Sequence, residues 1–183
     1  MTAAATPIAL VPGTTTGWVQ GTLIGDAPIT APLSGRPCWY YKIVVELRGE
    51  MVGDDGGRRL AYEARGQSFE IDDGTGVALI DPEGAQVEVD YDHTVEVIPG
   101  ARLVQPLAEL VRRFKLPDAP VVLREGVLEV GEVVAVHGRL VREVDPDPAR
   151  RGARVRVVGV GRERVFVSER SVDGWRPSSP SVG

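Results

Sequence analysis

The chain has 183 residues, of which 43% are hydrophobic and 26% charged, so it is long enough to bury one sizeable core. Its net charge of -5 argues against a dedicated nucleic-acid or anionic-membrane binder, because either ligand requires a basic surface. A single cysteine, Cys38, excludes an internal disulfide and a cysteine-rich zinc site. No apolar run approaches the roughly 20 residues that cross a bilayer, and no signal peptide is recognisable. We therefore expect a cytoplasmic protein without direct membrane insertion.

The predicted elements are mostly strands, and 22 Gly and 14 Pro supply the frequent turns of an all-β chain. Residues 1–16 are expected to be flexible, and the Ser/Pro-rich tail of residues 172–183 is expected to be disordered. Between them, runs of β-branched and aromatic residues predict strands at Trp18–Ile24, Cys38–Leu47, Leu60–Ile71, Val77–Ile80, within Gln86–Val97, at Val121–Leu128, Glu132–Val141, Arg154–Gly159 and Arg164–Ser168. The last two strands are expected to pair as a closing hairpin.

A tight hairpin is specified by the sequence IDDGTGVALIDP, residues Ile71–Pro82. Asp and Gly tolerate the left-handed backbone angles of a tight turn, and Thr75 can form a local hydrogen bond across it. This pattern predicts that the strand before the turn pairs with Val77–Ile80.

One helix is predicted, at Leu103–Phe114, where apolar residues recur at helical spacing and Pro106 falls in the first turn. Several strands, then a helix, then further strands is the order of a five-stranded barrel with a helix between its third and fourth strands. We therefore predict an all-β, OB-like small β-barrel with elaborations, with a β-sandwich as the alternative.

Four segments resemble the GIDE domain, also called the BAM ("beside a membrane") domain: Pro28–Glu46, Ser68–Ala85, Leu123–Leu140 and Val165–Ser171. The resemblance covers about Gly17–Ser171, so residues 17–171 are taken as one GIDE-like domain. The best-known members of the family are membrane-anchored E3 ligases, and the resemblance implies a β-rich module for protein interactions near membranes. This sequence has no membrane helix, and one Cys and two His cannot supply the ligands of a RING finger. Ligase activity is therefore not carried over.

Two groups of residues are candidates for chemistry. Asp72 and Asp73, with Asp81 nearby, could bind a cation or act as acid and base, although acids in turns usually cap backbone amides. In the segment Ser34–Tyr41, Arg36 could clamp a carboxylate or phosphate.

Cys38, in the same segment, could be a nucleophile with His93 or His137 as its base, or a small buried residue at the start of a strand. Tyr40 is expected to point away from Trp39 and Tyr41, because side chains alternate along a strand. One face would then pack the barrel, and the other could bind a ligand.

The resulting hypothesis is a non-enzymatic protein-interaction module without cofactor or metal. Its contact surface is expected to combine Ser34, Arg36, Cys38 and Tyr40 with Asp72 and Asp73, and its partner to be a protein, membrane-associated by the family resemblance. An alternative is an OB-type binder of single-stranded nucleic acid, since nine Arg against five acids give Arg139–Arg170 a local charge of +4. An enzyme that uses Cys38 is a further alternative, and the oligomeric state is left open.

Overall fold

The computed structural model describes residues 4–48, 58–145, 153–159 and 164–169. Strands account for 52% of the structure, with one short helix. The strands, numbered in chain order, are β1 (Thr14–Ile24), β2 (Ile29–Thr30), β3 (Pro37–Cys38), β4 (Tyr40–Leu47), β5 (Arg59–Gly66), β6 (Phe69–Asp72), β7 (Val77–Ile80), β8 (Gln86–Glu88), β9 (His93–Val97), β10 (Val121–Leu128), β11 (Val133–Val144), β12 (Ala153–Val158) and β13 (Phe166–Ser168). The helix α1 spans Leu107–Arg113, and a single 3-10 turn spans Ile8–Leu10.

The chain forms two compact units, each assembled from separate segments. The first, here called the barrel unit, comprises Met1–Gly25, Ser68–Glu88 and Val130–Gly183. The second, here called the sheet unit, comprises Asp26–Gln67 and Val89–Glu129. The chain therefore leaves the barrel unit after β1 and again after β8 to build the sheet unit. The predicted domain of residues 17–171 contains parts of both units.

The barrel unit is a closed ring of five strands in the order β1-β6-β7-β12-β11, with β11 pairing back to β1. If the five strands are numbered by their order in the chain, their order around the ring is first, second, third, fifth and fourth. All neighbours are antiparallel except β7 and β12, which are parallel. This is the connectivity of an OB barrel, so the ring closure confirms the predicted small barrel over the β-sandwich alternative.

The predicted hairpin is confirmed, because Asp72 on β6 is opposite Val77 on β7. The predicted closing hairpin is wrong. Strands β12 and β13 do not pair with each other in the described residues; both pair with the long strand β11, at residues 139–144 and 135–137. Local alternation could not reveal this arrangement, since it depends on a strand long enough to hold two partners.

The N-terminal segment also differs from the expectation of flexibility, from residue 4 onward. Ile8 and Val11 are each only 1% exposed, and Thr6 N donates to Trp18 O at 2.8 Å. The guanidinium of Arg142 donates to the carbonyls of Ala9 and Val11 at 2.8 and 3.2 Å. The apolar residues of a Pro- and Thr-rich segment thus add to the core of the barrel unit. The predicted disordered tail, residues 172–183, lies outside the described residues.

The sheet unit is built on an antiparallel sheet in the order β5-β4-β10-β9. Helix α1 covers one face of this sheet, and the buried residues between them include Tyr41, Ile43 and Leu123. The predicted strand Cys38–Leu47 was expected to pack one face against the barrel, but β4 belongs to this second sheet, and Cys38 lies in the separate strand β3. The predicted strand Leu60–Ile71 is also divided: β5 ends at Gly66, and β6 begins in the other unit.

The helix begins at Leu107, four residues after its predicted start, with Pro106 as the N-cap residue. Leu103 and Phe114 flank it and still pack against the same core as Leu107 and Val111, so the apolar spacing predicted burial better than it predicted helix length. In the parts of the chain that the structure describes, no helix combines the length and apolar character needed to cross a membrane.

Candidate functional site

A buried carboxylate holds the loop that contains Ser34 and Arg36. Glu125 on β10 is 0% exposed, and its oxygens accept hydrogen bonds from Leu33 N at 2.7 Å and Ser34 N at 2.9 Å. A buried charge is tolerated only where donors replace the water it has lost. Glu125 therefore fixes the backbone of the loop, and the alternation of β10 places it under that loop.

Arg36 is bound by carboxylates of its own unit. Its two terminal nitrogens donate to the two oxygens of Asp92, each at 2.6 Å, and Nη1 also donates to Glu129 at 3.1 Å. Its Nε donates to Ser34 Oγ at 3.2 Å. The hydrogen bond to Asp92 raises the pKa of Arg36 above its ordinary value, and the same bond lowers the pKa of Asp92. The guanidinium that was predicted as an anion clamp already holds two internal anions.

Cys38 is fully buried in β3, and its environment keeps the thiol protonated. Burial raises its pKa to about 11, and the negative charges of Glu125 and Glu129 act in the same direction. The thiolate is the reactive form of cysteine, so this environment disfavours a nucleophile at neutral pH. Of the two possible bases, His137 lies in the barrel unit against the Trp18 ring, with ring centroids 5.1 Å apart. His93 on β9 lies opposite Glu125 in the register of β9 and β10.

Tyr40 and Tyr41 point to opposite faces of the sheet, as the alternation predicted. Tyr41 packs with α1 in the core, its hydroxyl donates to Glu63 at 2.7 Å, and burial raises its pKa to about 12. Tyr40 lies on the other face and is 6% exposed. Burial raises the pKa of Tyr40, and the Tyr62 hydroxyl acts in the same direction. Tyr40 therefore lies beneath a surface whose exposed residues belong to neighbouring strands.

That surface, here called the tyrosine face, is the side of the sheet opposite α1. Tyr62 on β5 and Arg124 on β10 both lie opposite Val44 of the central strand β4, which places them in one row across the sheet. The Tyr62 side chain is 52% exposed, and Tyr91, which precedes β9, is 39% exposed. Two large aromatic residues are thus accessible on a single sheet face.

Cations accompany both exposed rings. Lys42 Nζ is 4.5 Å from the centre of the Tyr91 ring, and Arg59 Cζ is 5.8 Å from the centre of the Tyr62 ring. Arg124 forms an ion pair with Glu46, with Nε and Oε2 3.2 Å apart. Charged residues on this face include Lys42, Arg48, Arg59, Arg124, Glu46 and Glu96, and Asp90 crosses β10 over Gly126 on the same side.

The sequence pattern indicated Tyr40 but not Tyr62, Tyr91 or their cations. Tyr62 lies within the predicted strand Leu60–Ile71, whose pattern did not indicate which side of the sheet it would face. Tyr91 is 29 residues further along the chain, in a segment predicted merely as short strands. The two rings come together through long-range strand register, for which the sequence carries no local signal.

Asp72 and Asp73 lie in the barrel unit, where both stabilise the hairpin turn. Asp72 Oδ1 accepts from Gly74 N at 2.7 Å. Asp73 Oδ1 accepts from the nitrogens of Thr75 and Gly76 at 2.8 and 3.0 Å and from the Thr75 hydroxyl at 2.7 Å. Its other oxygen accepts from Ile8 N at 2.7 Å and so fastens the N-terminal segment to the turn.

Replacing Asp73 by alanine is expected to lower the free energy of unfolding by about 2 kcal/mol, because a turn and the N-terminal segment lose one shared acceptor. Burial opposes ionisation, but the four hydrogen bonds prevail and lower the pKa of Asp73. Its contribution is therefore complete above the unfolded-state pKa of about 4 and is lost as pH falls through the lower folded-state pKa. Urea denaturation across pH tests this, with Asp81→Ala, which removes one turn hydrogen bond, as the control. Equal effects of the two variants would contradict the expectation.

The chain was compared with protein families, curated proteins and solved structures. No family model, no curated protein and no solved structure matches it. The GIDE resemblance therefore stays a prediction that rests on the four segments.

Proposed function

We propose that this chain is a non-enzymatic, cytoplasmic protein-interaction module of the GIDE/BAM type, and that the tyrosine face of its sheet unit is the contact surface. The observation that carries the proposal is the pair of exposed tyrosines, Tyr62 and Tyr91, each with a cation beside its ring. Tyrosine and arginine are enriched among the residues that contribute most to protein interfaces. By the family resemblance, the partner is a membrane-associated protein.

The other candidate groups are buried or already bound to partners within the fold, and this supports a role without catalysis. The Cys38 thiol is buried with a raised pKa, and Arg36 donates to Asp92 and Glu129. Asp73 accepts three hydrogen bonds within the hairpin turn and one from Ile8 N of the N-terminal segment. Each of these groups has a structural task. We therefore propose the tyrosine face, with Tyr40 beneath it, as the contact surface in place of the segment Ser34–Tyr41.

Site-specific photo-crosslinking in the cells that produce the protein tests this proposal. With Tyr62 replaced by p-benzoylphenylalanine, we expect a discrete covalent adduct with one protein, because the side chain projects from an exposed edge strand. Arg112 on α1, which is also exposed, is the matched control position and should give no such adduct. Absence of an adduct at position 62, or the same adduct at both positions, would reject the proposed surface.

A further inference from the structure

A cavity opens in the barrel unit where its sheet divides into two branches. The long strand β11 pairs with β13 at residues 135–137 and with β12 at residues 139–144. Strand β7 pairs with β12, and β8 pairs with β13, so the turn between β7 and β8 passes from one branch to the other. The residues that line the cavity come from this turn, from the end of β12 and from just before β13. Its volume is about 310 Å³, within the roughly 300–1,000 Å³ of small-ligand sites.

Charges of both signs line this cavity. Its charged residues are Arg164, just before β13, and Asp81 and Glu83, on the turn after β7. Within the part of the chain that the structure describes, the Arg164 side chain forms no ion pair or hydrogen bond, and the Glu83 carboxylate accepts no hydrogen bond. Asp81 accepts one hydrogen bond, from Glu83 N at 3.0 Å. The cation and the anions are therefore not matched to each other, and both remain accessible to a ligand.

The remaining lining of the cavity is largely apolar. Val157 and Val165 are buried, and Val158 between them in the lining is half-buried. A hydrocarbon group that covers this lining gains about 25 cal/mol for each Å² of apolar surface removed from water. The cavity thus offers a ligand one cationic group, two anionic groups and an apolar wall.

These three features select one class of small molecule. A simple anion would be attracted by Arg164 but repelled by two carboxylates, and a simple cation would meet the opposite arrangement. A ligand with a carboxylate, an ammonium group and a short hydrocarbon chain satisfies all three features at once.

We infer that this cavity binds an apolar α-amino acid. Arg164 pairs with the ligand's carboxylate, which suits the planar guanidinium. Glu83 and Asp81 pair with its ammonium group, and its side chain lies against the valines. This site belongs to the barrel unit and does not depend on the tyrosine face, so the inference goes beyond the proposed function.

NMR titration of the full ¹⁵N-labelled chain tests the inference with matched probes. The probes are leucine, valine and phenylalanine, together with 4-methylpentanoate, which is leucine without its ammonium group, and 3-methylbutylamine, which is leucine without its carboxylate. We expect leucine to shift the amide signals of Val158, Gly159 and Val165 with a Kd on the order of 1 mM. The two analogues with a single charge should bind at least about tenfold more weakly, because each leaves one sign of charge in the cavity unpaired.

Variants assign each charge to its partner. Arg164→Gln should weaken leucine about tenfold and should not weaken 3-methylbutylamine, which has no carboxylate to lose. Glu83→Gln should weaken leucine about threefold, since Asp81 remains, and should not weaken 4-methylpentanoate. Arg112→Ala removes an exposed positive charge from α1 in the other unit and is the matched control. It should leave all these affinities unchanged.

Three outcomes overturn the inference. If none of the three amino acids shifted the signals of the cavity, the site would be excluded. If either analogue bound as tightly as leucine, the cavity would not recognise a zwitterion. Equal weakening by Arg112→Ala and Arg164→Gln would reveal nonspecific charge attraction. The spectrum of each variant also confirms that the fold is intact before affinities are compared, and the crosslinking experiment at position 62 tests the proposed function separately.

Discussion

Replacing Glu125 by alanine is expected to lower the free energy of unfolding by about 3 kcal/mol, because two backbone N–H groups lose their acceptor. The N–H of Leu33 and that of Ser34 both donate to this carboxylate, which is 0% exposed. Alanine provides no acceptor for these N–H groups. It also leaves a cavity, which either fills with water or closes as the loop shifts. The loop also carries Arg36, so its ion pairs with Asp92 and Glu129 should loosen with it.

Urea denaturation of purified variants measures this loss. Glu125→Gln retains one carbonyl oxygen as an acceptor and should fall between alanine and the wild type. Glu109→Ala removes an exposed carboxylate from α1 of the same unit and should change stability by no more than about 0.5 kcal/mol. If Glu125→Ala cost no more than Glu109→Ala, the buried carboxylate would not be what holds the loop.

Replacing Gly126 by alanine is expected to cost about 3 kcal/mol, because the new methyl group has no room. An ideal Cβ at this position would be 2.3 Å from the carbonyl oxygen of Asp90 and 2.9 Å from Cγ2 of Val89. A backbone carbonyl cannot move aside as a flexible side chain can. The chain at Val89 and Asp90 crosses β10 here because Gly126 lacks a side chain, and the next residue is Tyr91 of the tyrosine face.

Two measurements separate this effect from a general loss of stability. Gly17→Ala is the matched control: its Cβ would meet nothing within 4 Å, and the smaller freedom of the unfolded chain should stabilise the protein by about 0.5 kcal/mol. In Gly126→Ala, displacement of Tyr91 should also reduce the yield of the crosslinked adduct at position 62 under conditions where the variant remains folded. A Gly126→Ala protein as stable as Gly17→Ala would show that the chain does not pass this closely over β10.

Strand type and extent could be predicted where the pattern is local. The bounds of β10 match the predicted strand Val121–Leu128, and the hairpin between β6 and β7 follows from its Asp and Gly residues. The opposite orientation of Tyr40 and Tyr41 followed from the period of a strand. These features depend on residues that are neighbours in the chain.

The sequence predicted some residues of the candidate site but not the contacts that they make. Arg36 and Ser34 do contact each other, but their other partners, Asp92, Glu125 and Glu129, are more than fifty residues away. Nothing in the sequence near Arg36 indicates that its charge is matched within the fold. A predicted ligand-binding arginine thus became part of a structural network.

The sequence by itself determined an all-β chain with a turn-specifying hairpin and a single helix, because alternation, turn residues and helical spacing act over a few residues. Only the tertiary structure decided that the chain leaves its OB-like barrel twice to build a second unit, and that Tyr62, Tyr91 and four cations share one face of the sheet there. The physical reason is that strand pairing is a choice among distant partners. Burial of the whole core settles that choice, whereas no local pattern can.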